Sequence, residues 1–268
     1  MRVILVLLLC CSAAAADDFH FEITASYWPL NPTGTVVTST DRVDLKSDLG
    51  IQGRKSEPML KVTFKPSQRQ RLNFETVPYR LNGGNTVTRP FKFGGATFPE
   101  QVIVPITGLP LLLNHIDSQT EINYFFGGYQ YDIVNGAWGH AGIGAGVAYF
   151  HAEAVATIPP SITPVHSTTP AISGTEERSA AIPLIGGEFR YFIIPGKRLL
   201  NVNGEVKGMS LGSYGKYVQG DLNAGVSVMR FLRLQAGINV VDADVHNSAG
   251  RGFKLRFAGP FFSIQLHD

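Results

Sequence analysis

Tyr217-Val218-Gln219-Gly220-Asp221-Leu222-Asn223-Ala224-Gly225-Val226-Ser227-Val228 decides the fold. Its even positions are apolar or small, and its odd positions carry Gln219, Asp221, Asn223 and Ser227. A period of two puts these sets on opposite faces of a β-strand, one in apolar and one in polar surroundings. Leu232, Leu234, Ala236, Ile238 and Val240 repeat the pattern against Arg233, Gln235 and Asn239. Leu200, Val202 and Val206 oppose Asn201, Asn203, Glu205 and Lys207. At the front, Phe19, Phe21, Ile23, Ala25 and Tyr27 oppose His20, Glu22, Thr24 and Ser26. No stretch beyond the first residues shows a 3.6-residue stripe, so the class is all-β.

Connections set the topology. Ten strands are expected near 19–28, 57–65, 70–81, 118–132, 138–157, 177–193, 199–208, 216–229, 231–244 and 252–267. Tight turns are expected at 66–69, 134–136, 195–197 and 229–230. Between them, 29–56, 82–117 and 158–176 are long and rich in Gly, Pro, Ser and Thr, and two shorter loops fall near 209–215 and 245–251. Short turns at one end and long loops at the other are the pattern of an antiparallel up-and-down transmembrane β-barrel of the bacterial outer membrane. An even strand count then places both termini on the periplasmic side. Alternation alone does not say which face is outside, and a soluble secreted barrel or sandwich binding a small ligand alternates as well. Three features favour the membrane: strands exceed the usual globular length, the polar face mixes opposite charges with glycine, and aromatics gather near strand ends. The apolar parity changes around Gly127-Gly128 and Gly259-Pro260, and a β-bulge at each place would account for it.

The first residues differ in kind. Met1-Arg2, an apolar run over 3–11, Ser12 and four alanines read as a secretory signal cleaved after Ala16. That leaves 17–268 as a single barrel domain exported to the outer membrane. The run is too short to cross a bilayer as a helix. Cys10 and Cys11, the only cysteines, fall within it, which leaves no thiolate for a disulfide, metal or nucleophile afterwards. Net charge is +2 over 268 residues and becomes +1 once Arg2 departs, too little for a polyanion partner, and no nucleic-acid motif is present.

The segment Val43-Asp44-Leu45-Lys46-Ser47-Asp48-Leu49-Gly50 is followed by Pro66-Ser67-Gln68-Arg69-Gln70-Arg71-Leu72, by Phe91-Lys92-Phe93-Gly94-Gly95-Ala96-Thr97-Phe98 and by the closing Gly259-Pro260-Phe261. Together these resemble a group of uncharacterised Gram-negative outer-membrane β-barrel proteins, small barrels of OmpA- and OmpW-like architecture. The group often has histidine in the turn where this chain has Gln70. The resemblance implies a fold and a compartment, with membrane lipid, lipopolysaccharide and the barrel-assembly machinery as partners. It implies no substrate and no oligomeric state.

With the apolar face toward lipid, the polar face lines a lumen. The expected lining comprises Glu22, Lys61, Arg71, Glu75, Glu121, Glu188, Arg190, Asn201, Asn203, Glu205, Lys207, Asp221, Arg233, Lys254 and Arg256. Its acids and bases nearly balance, as charges confined together must. Ten strands sit near the size that side chains fill, so a narrow or occluded lumen is expected rather than a wide porin. Gly142, Gly144 and Gly146 are expected to leave room for long basic side chains. The function is then structural, or the selective passage of a small solute. No cofactor, metal or catalytic group is expected and the chain reads as a non-enzyme. The alternative from another class is an outer-membrane hydrolase with a rim site, built on His151 with Glu153 and one of Ser118, Ser179 or Ser210. Asp41, Asp44 and Asp48 lack the spacing of a calcium loop and are expected to cap turns or pair with Arg42, Lys46 and Arg54.

Overall fold

The computed structural model describes residues 19–38, 41–52, 55–100, 115–162, 168–169, 171–195, 197–210, 212, 215–246 and 251–268. The apolar leader, with both cysteines, lies outside them. In chain order the strands are β1 (Phe21–Val37), β2 (Arg42–Asp44), β3 (Lys55–Ser67), β4 (Gln70–Thr86), β5 (Phe91–Phe93), β6 (Ala96–Phe98), β7 (His115–Gly136), β8 (Gly139–Ile158), β9 (Ser161–Ile162), β10 (Thr168–Thr169), β11 (Ile172–Ile194), β12 (Lys197–Ser210), β13 (Gly215–Met229), β14 (Leu232–His246) and β15 (Gly252–His267).

Ten of these form one antiparallel sheet in the order β15-β14-β13-β12-β11-β8-β7-β4-β3-β1, and β15 pairs back onto β1 to close a barrel. The short β2 adds to the upper end of β1, where Val36 faces Val43. At the end carrying the termini, turns fall at 68–69, 137–138 and 230–231, the second of them just beyond the expected 134–136, and β11 ends at Ile194 with β12 beginning at Lys197. At the opposite end the loops are shorter than expected, because 29–37, 82–86 and 172–176 continue as strand. The fold is thus the expected ten-stranded up-and-down barrel with one added strand.

Near the termini the walls face outward with their apolar residues. Val218, Leu222, Val226 and Val228 on β13, Leu234 and Ile238 on β14, and Phe262, Ile264 and Leu266 on β15 are all exposed. Glu22, Arg71, Glu75, Arg190, Asn203, Lys207 and Arg233 are buried inside. A water-soluble barrel has the reverse arrangement. Counting β13 from Val218 to Val228 at ~3.3 Å per residue and ~40° of tilt gives a belt about 25 Å tall, the height of a lipid-facing band.

Above the belt the chemistry inverts while the strands run on. On β15, Phe253, Leu255, Phe257 and Phe261 are buried and point inward, and Lys254 and Arg256 are exposed. The register against β14 is unbroken from Leu232↔Leu266 to His246↔Gly252. No bulge therefore lies at Gly259-Pro260. On β7 the inward parity is likewise constant, and the register shift falls at Asp132/Val134, beside the turn, not at Gly127-Gly128. The expected bulges are replaced by a change of surroundings. Where the outer face leaves lipid for water, the hydrophobic effect drives apolar side chains inward.

Two loop segments fill that upper interior. Val43, Leu45, Leu49 and Ile51 from the first, and Phe91, Phe93 and Phe98 from the hairpin β5–β6, join one core with Trp28, Leu30, Tyr79, Leu81, Tyr124 and Phe257. Gly83 is the condition for this packing: a Cβ there would meet the backbone of 49–51 at 2.5–2.6 Å. Asp44 accepts the backbone N–H groups of Lys46 and Ser47 at 2.9 and 2.8 Å, and Asp48 accepts that of Asp44 at 2.8 Å. These are the expected caps. The guanidinium on Asp48, however, comes from Arg89, whose Nε donates at 3.0 Å. Among the described residues no cluster of His, Cys, Asp and Glu is placed to hold a metal ion.

Candidate functional site

The lumen below the apolar core is the candidate site, and its walls are cross-linked by charge. Lys61 on β3 reaches the far wall, its Nζ 2.6 Å from Glu205 Oε2 on β12 and 3.4 Å from Glu188 Oε2 on β11. Lys207 pairs with Glu75 and lies 3.3 Å from Glu205 Oε1. Arg190 grips Glu22 with both terminal nitrogens, at 2.9 and 3.1 Å. Arg71 Nε donates to Asp132 at 2.8 Å, with both side chains wholly buried. An amide chain runs beside them: Asn201 donates to Asn203, Asn203 to Asn223, and Asn223 to Asp221, at 2.7, 2.7 and 3.0 Å. Buried ions are tolerated only when paired and hydrogen-bonded in this way.

A tyrosine layer separates this network from the apolar core. The Tyr217 and Tyr124 hydroxyls donate to Gln219 Oε1 at 2.7 and 3.2 Å, and Gln219 Nε2 donates to Glu75 at 2.9 Å. The apolar rings thus lie in the core while their polar tips serve the charged layer. At the other mouth Phe19, buried, sits with its ring 5.3–5.8 Å from the cationic groups of Lys65, Arg71 and Arg190. It therefore turns inward, although the alternation of β1 puts its parity on the outer face. One cavity along the lumen, lined among others by Lys61, Glu188, Glu205 and Asp221, has a volume of about 60 Å³.

The structure brings Glu22, Lys61, Arg71, Glu75, Glu188, Arg190, Asn201, Asn203, Glu205, Lys207, Asp221 and Arg233 to the lumen. Three expected members are elsewhere. Lys254 and Arg256 stand on the outer wall above the belt, with Lys254 3.7 Å from Asp244. Glu121 also faces outward there and accepts from Gln119 at 2.9 Å. All three share the strand parity of lipid-facing residues, and only their height places them in water. Asp132, Gln130, Gln219, Asn239 and Gln265 line the lumen without having been singled out, although each falls on the polar parity of its strand. The inward glycines accommodate other neighbours than expected. Gly142 makes room for Asp132 and Gln130, and Gly146 for the Phe126 ring.

The hydrolase constellation is half assembled. His151 Nδ1 lies 3.0 Å from Ser179 Oγ on the outer wall, and Glu177 Oε1 is 3.8 Å from that same nitrogen. A relay needs the acid on one ring nitrogen and the nucleophile on the other, so this arrangement is not a triad. Ser118 is committed elsewhere, donating to the Leu49 carbonyl from inside the barrel.

No protein-family model matches the chain, and no curated protein does. Among solved structures, the outer-membrane protease OmpT of Escherichia coli superimposes with a TM-score of 0.60 at 9% identity, covering 96% of this chain and all of that one. The translocator domain of the autotransporter NalP from Neisseria meningitidis gives 0.44 at 10% identity, over 99% of this chain and 93% of that one. Ail of Yersinia pestis gives 0.36 at 9%, over 92% and 99%. Only the first score is high enough to bear on the fold. At 9% identity it establishes a shared barrel architecture, that of outer-membrane β-barrel proteins, and nothing about catalysis.

Proposed function

We propose that the protein is a closed, non-catalytic outer-membrane barrel with a structural role, exported by its leader and seated among outer-membrane lipid and lipopolysaccharide. The observation carrying this reading is the double obstruction of the lumen. Ion pairs span it below, the loop-filled apolar core closes it above, and the cavity among the ion-paired residues measures only about 60 Å³. Such a volume holds a few water molecules at most. Hydrated solutes do not pass a space of that size unless the Lys61–Glu205 bridge and the 42–52 segment both move.

Planar-bilayer recording of the purified protein tests the closed lumen. No current steps above the detergent control are expected, and reproducible unitary steps would replace this reading with selective passage of a small solute. Membrane placement has its own test. The intact barrel is expected to migrate faster on SDS gels unboiled than boiled, and recovery from a periplasmic wash with identical migration would refute it.

A further inference from the structure

The lumenal cavity is short of positive charge. Glu188 stands directly opposite Glu205, and Glu205 directly opposite Asp221, so three carboxylates form one row across β11, β12 and β13. Like charges so placed repel, and the low dielectric of a closed lumen magnifies the repulsion. Lys61 and Lys207 serve Glu188, Glu205 and Glu75. Asp221 forms no ion pair among the described residues, and its one side-chain hydrogen bond comes from Asn223.

A second, independent observation lies beside it. Asn239, 1% exposed, is the cross-strand partner of Asp221, and its Oδ1 has no hydrogen-bond partner. Ser26, 7% exposed, borders the same cavity, and its Oγ is also unpartnered. Buried polar atoms are ordinarily satisfied. Here the unsatisfied ones are oxygens, one on the cross-strand partner of Asp221 and one on the border of the same cavity. We propose that this cavity binds one hard cation, sodium or calcium, on the Asp221 carboxylate and Asn239 Oδ1, with Ser26 Oγ, from β1, bordering the same space. Hard cations take oxygen ligands of this kind, carboxylate and amide carbonyl foremost. A cavity of about 60 Å³ admits such an ion with a remaining water or two. The ion supplies the charge that the carboxylate row lacks. The site goes beyond the structural reading and does not depend on it, since a closed lumen holds an ion as well as a narrow one.

The test uses the purified full barrel in detergent, stripped with a chelator. Its heat-unfolding midpoint is read by gel mobility in sodium chloride, calcium chloride or choline chloride at equal ionic strength. Equilibrium dialysis with radioactive sodium or calcium counts bound ions. The expected result is about one ion per barrel and, at hundredfold excess over the dissociation constant, a midpoint raised by roughly 5–10 °C over choline. Asp221→Asn is expected to abolish both effects. Should that variant not fold, Asn239→Leu removes the amide ligand while keeping the carboxylate, and is expected to weaken binding at least tenfold. The arm that responds, sodium or calcium, identifies the ion. Equal midpoints in all three salts with no bound ion would overturn the proposal. So would stabilisation in choline on lowering the pH alone, which would mean that a proton neutralises the row.

Discussion

Lys61 and Glu205 join opposite walls of the barrel: they belong to strands five places apart in a ring of ten, and Nζ to Oε2 is 2.6 Å. Removing the lysine leaves Glu188 and Glu205 facing each other in a confined space. Lys61→Met is expected to cost about 2–4 kcal/mol, since breaking a buried pair from one side strands the other charge. The double variant Lys61→Met with Glu205→Gln is expected to recover part of that. Unfolding midpoints of the two variants and the parent in detergent decide it, and equal loss in both would deny the coupling.

The seam between β1 and β15 has one interruption. Tyr27 faces Phe262 and Asn31 faces Ala258, so Pro29 falls opposite Pro260 and neither supplies a ladder N–H. Trp28 Nε1 donates to the Gly259 carbonyl at 3.3 Å from inside. Trp28→Phe keeps an apolar ring but removes the donor, at an expected cost of about 1–2 kcal/mol. Faster amide hydrogen exchange in residues flanking the two prolines, with the rest of the barrel unchanged, is the signature to look for.

Gly142 is held by space. A Cβ there would lie 2.7 Å from Asp132 Oδ1 and 2.9 Å from Gln130 Nε2. Gly142→Ala is expected to displace the Asp132 carboxylate from Arg71 and to destabilise by about 1–3 kcal/mol. Gly136→Ala, with nothing within 4 Å of its Cβ, is the control and should stay near neutral. Comparable losses for both would show that backbone freedom, not crowding, is what matters.

The height of the apolar belt is testable on its outer face. Leu222 is exposed at mid-belt, and Leu222→Arg is expected to cost about 2–4 kcal/mol of folding into lipid vesicles. Lys254→Leu, above the belt, is expected to change stability by less than about 0.5 kcal/mol. If both substitutions behaved alike, the boundary between lipid and water would lie elsewhere.

At the foot of the seam the Asp268 carboxylate accepts the backbone N–H groups of Phe21 and His20, at 3.0 and 2.8 Å. The bond from Phe21, and secondarily that from His20, holds its pKa below the ordinary aspartate value. A lowered folded-state pKa means that the clasp contributes fully above the unfolded value and is lost as pH falls through the folded one. Amide exchange at His20 and Phe21, corrected for intrinsic pH dependence, should lose protection over that acidic range. Asp268→Asn should flatten the profile.

The sequence by itself pointed to about ten barrel strands and to the two faces of each, because alternation is a local property written into consecutive residues such as those at 217–228. It also determined that one face had to gather opposed charges, since Glu205, Lys207 and Asp221 share a parity that their apolar neighbours exclude. It did not determine which face was the lumen at every height. Glu121, Lys254 and Arg256 are polar residues on the outward parity, and reading them as lumenal required bulges at Gly127-Gly128 and Gly259-Pro260, where the registers of β7 and β15 run unbroken. Only the tertiary structure decides this, because inside and outside exchange chemistry where a strand passes from lipid into water while its geometry stays the same. The pairing of Lys61 with Glu205 lay equally beyond the sequence. Barrel closure brings 144 residues of separation to 2.6 Å, and closure is a property of all ten strands together.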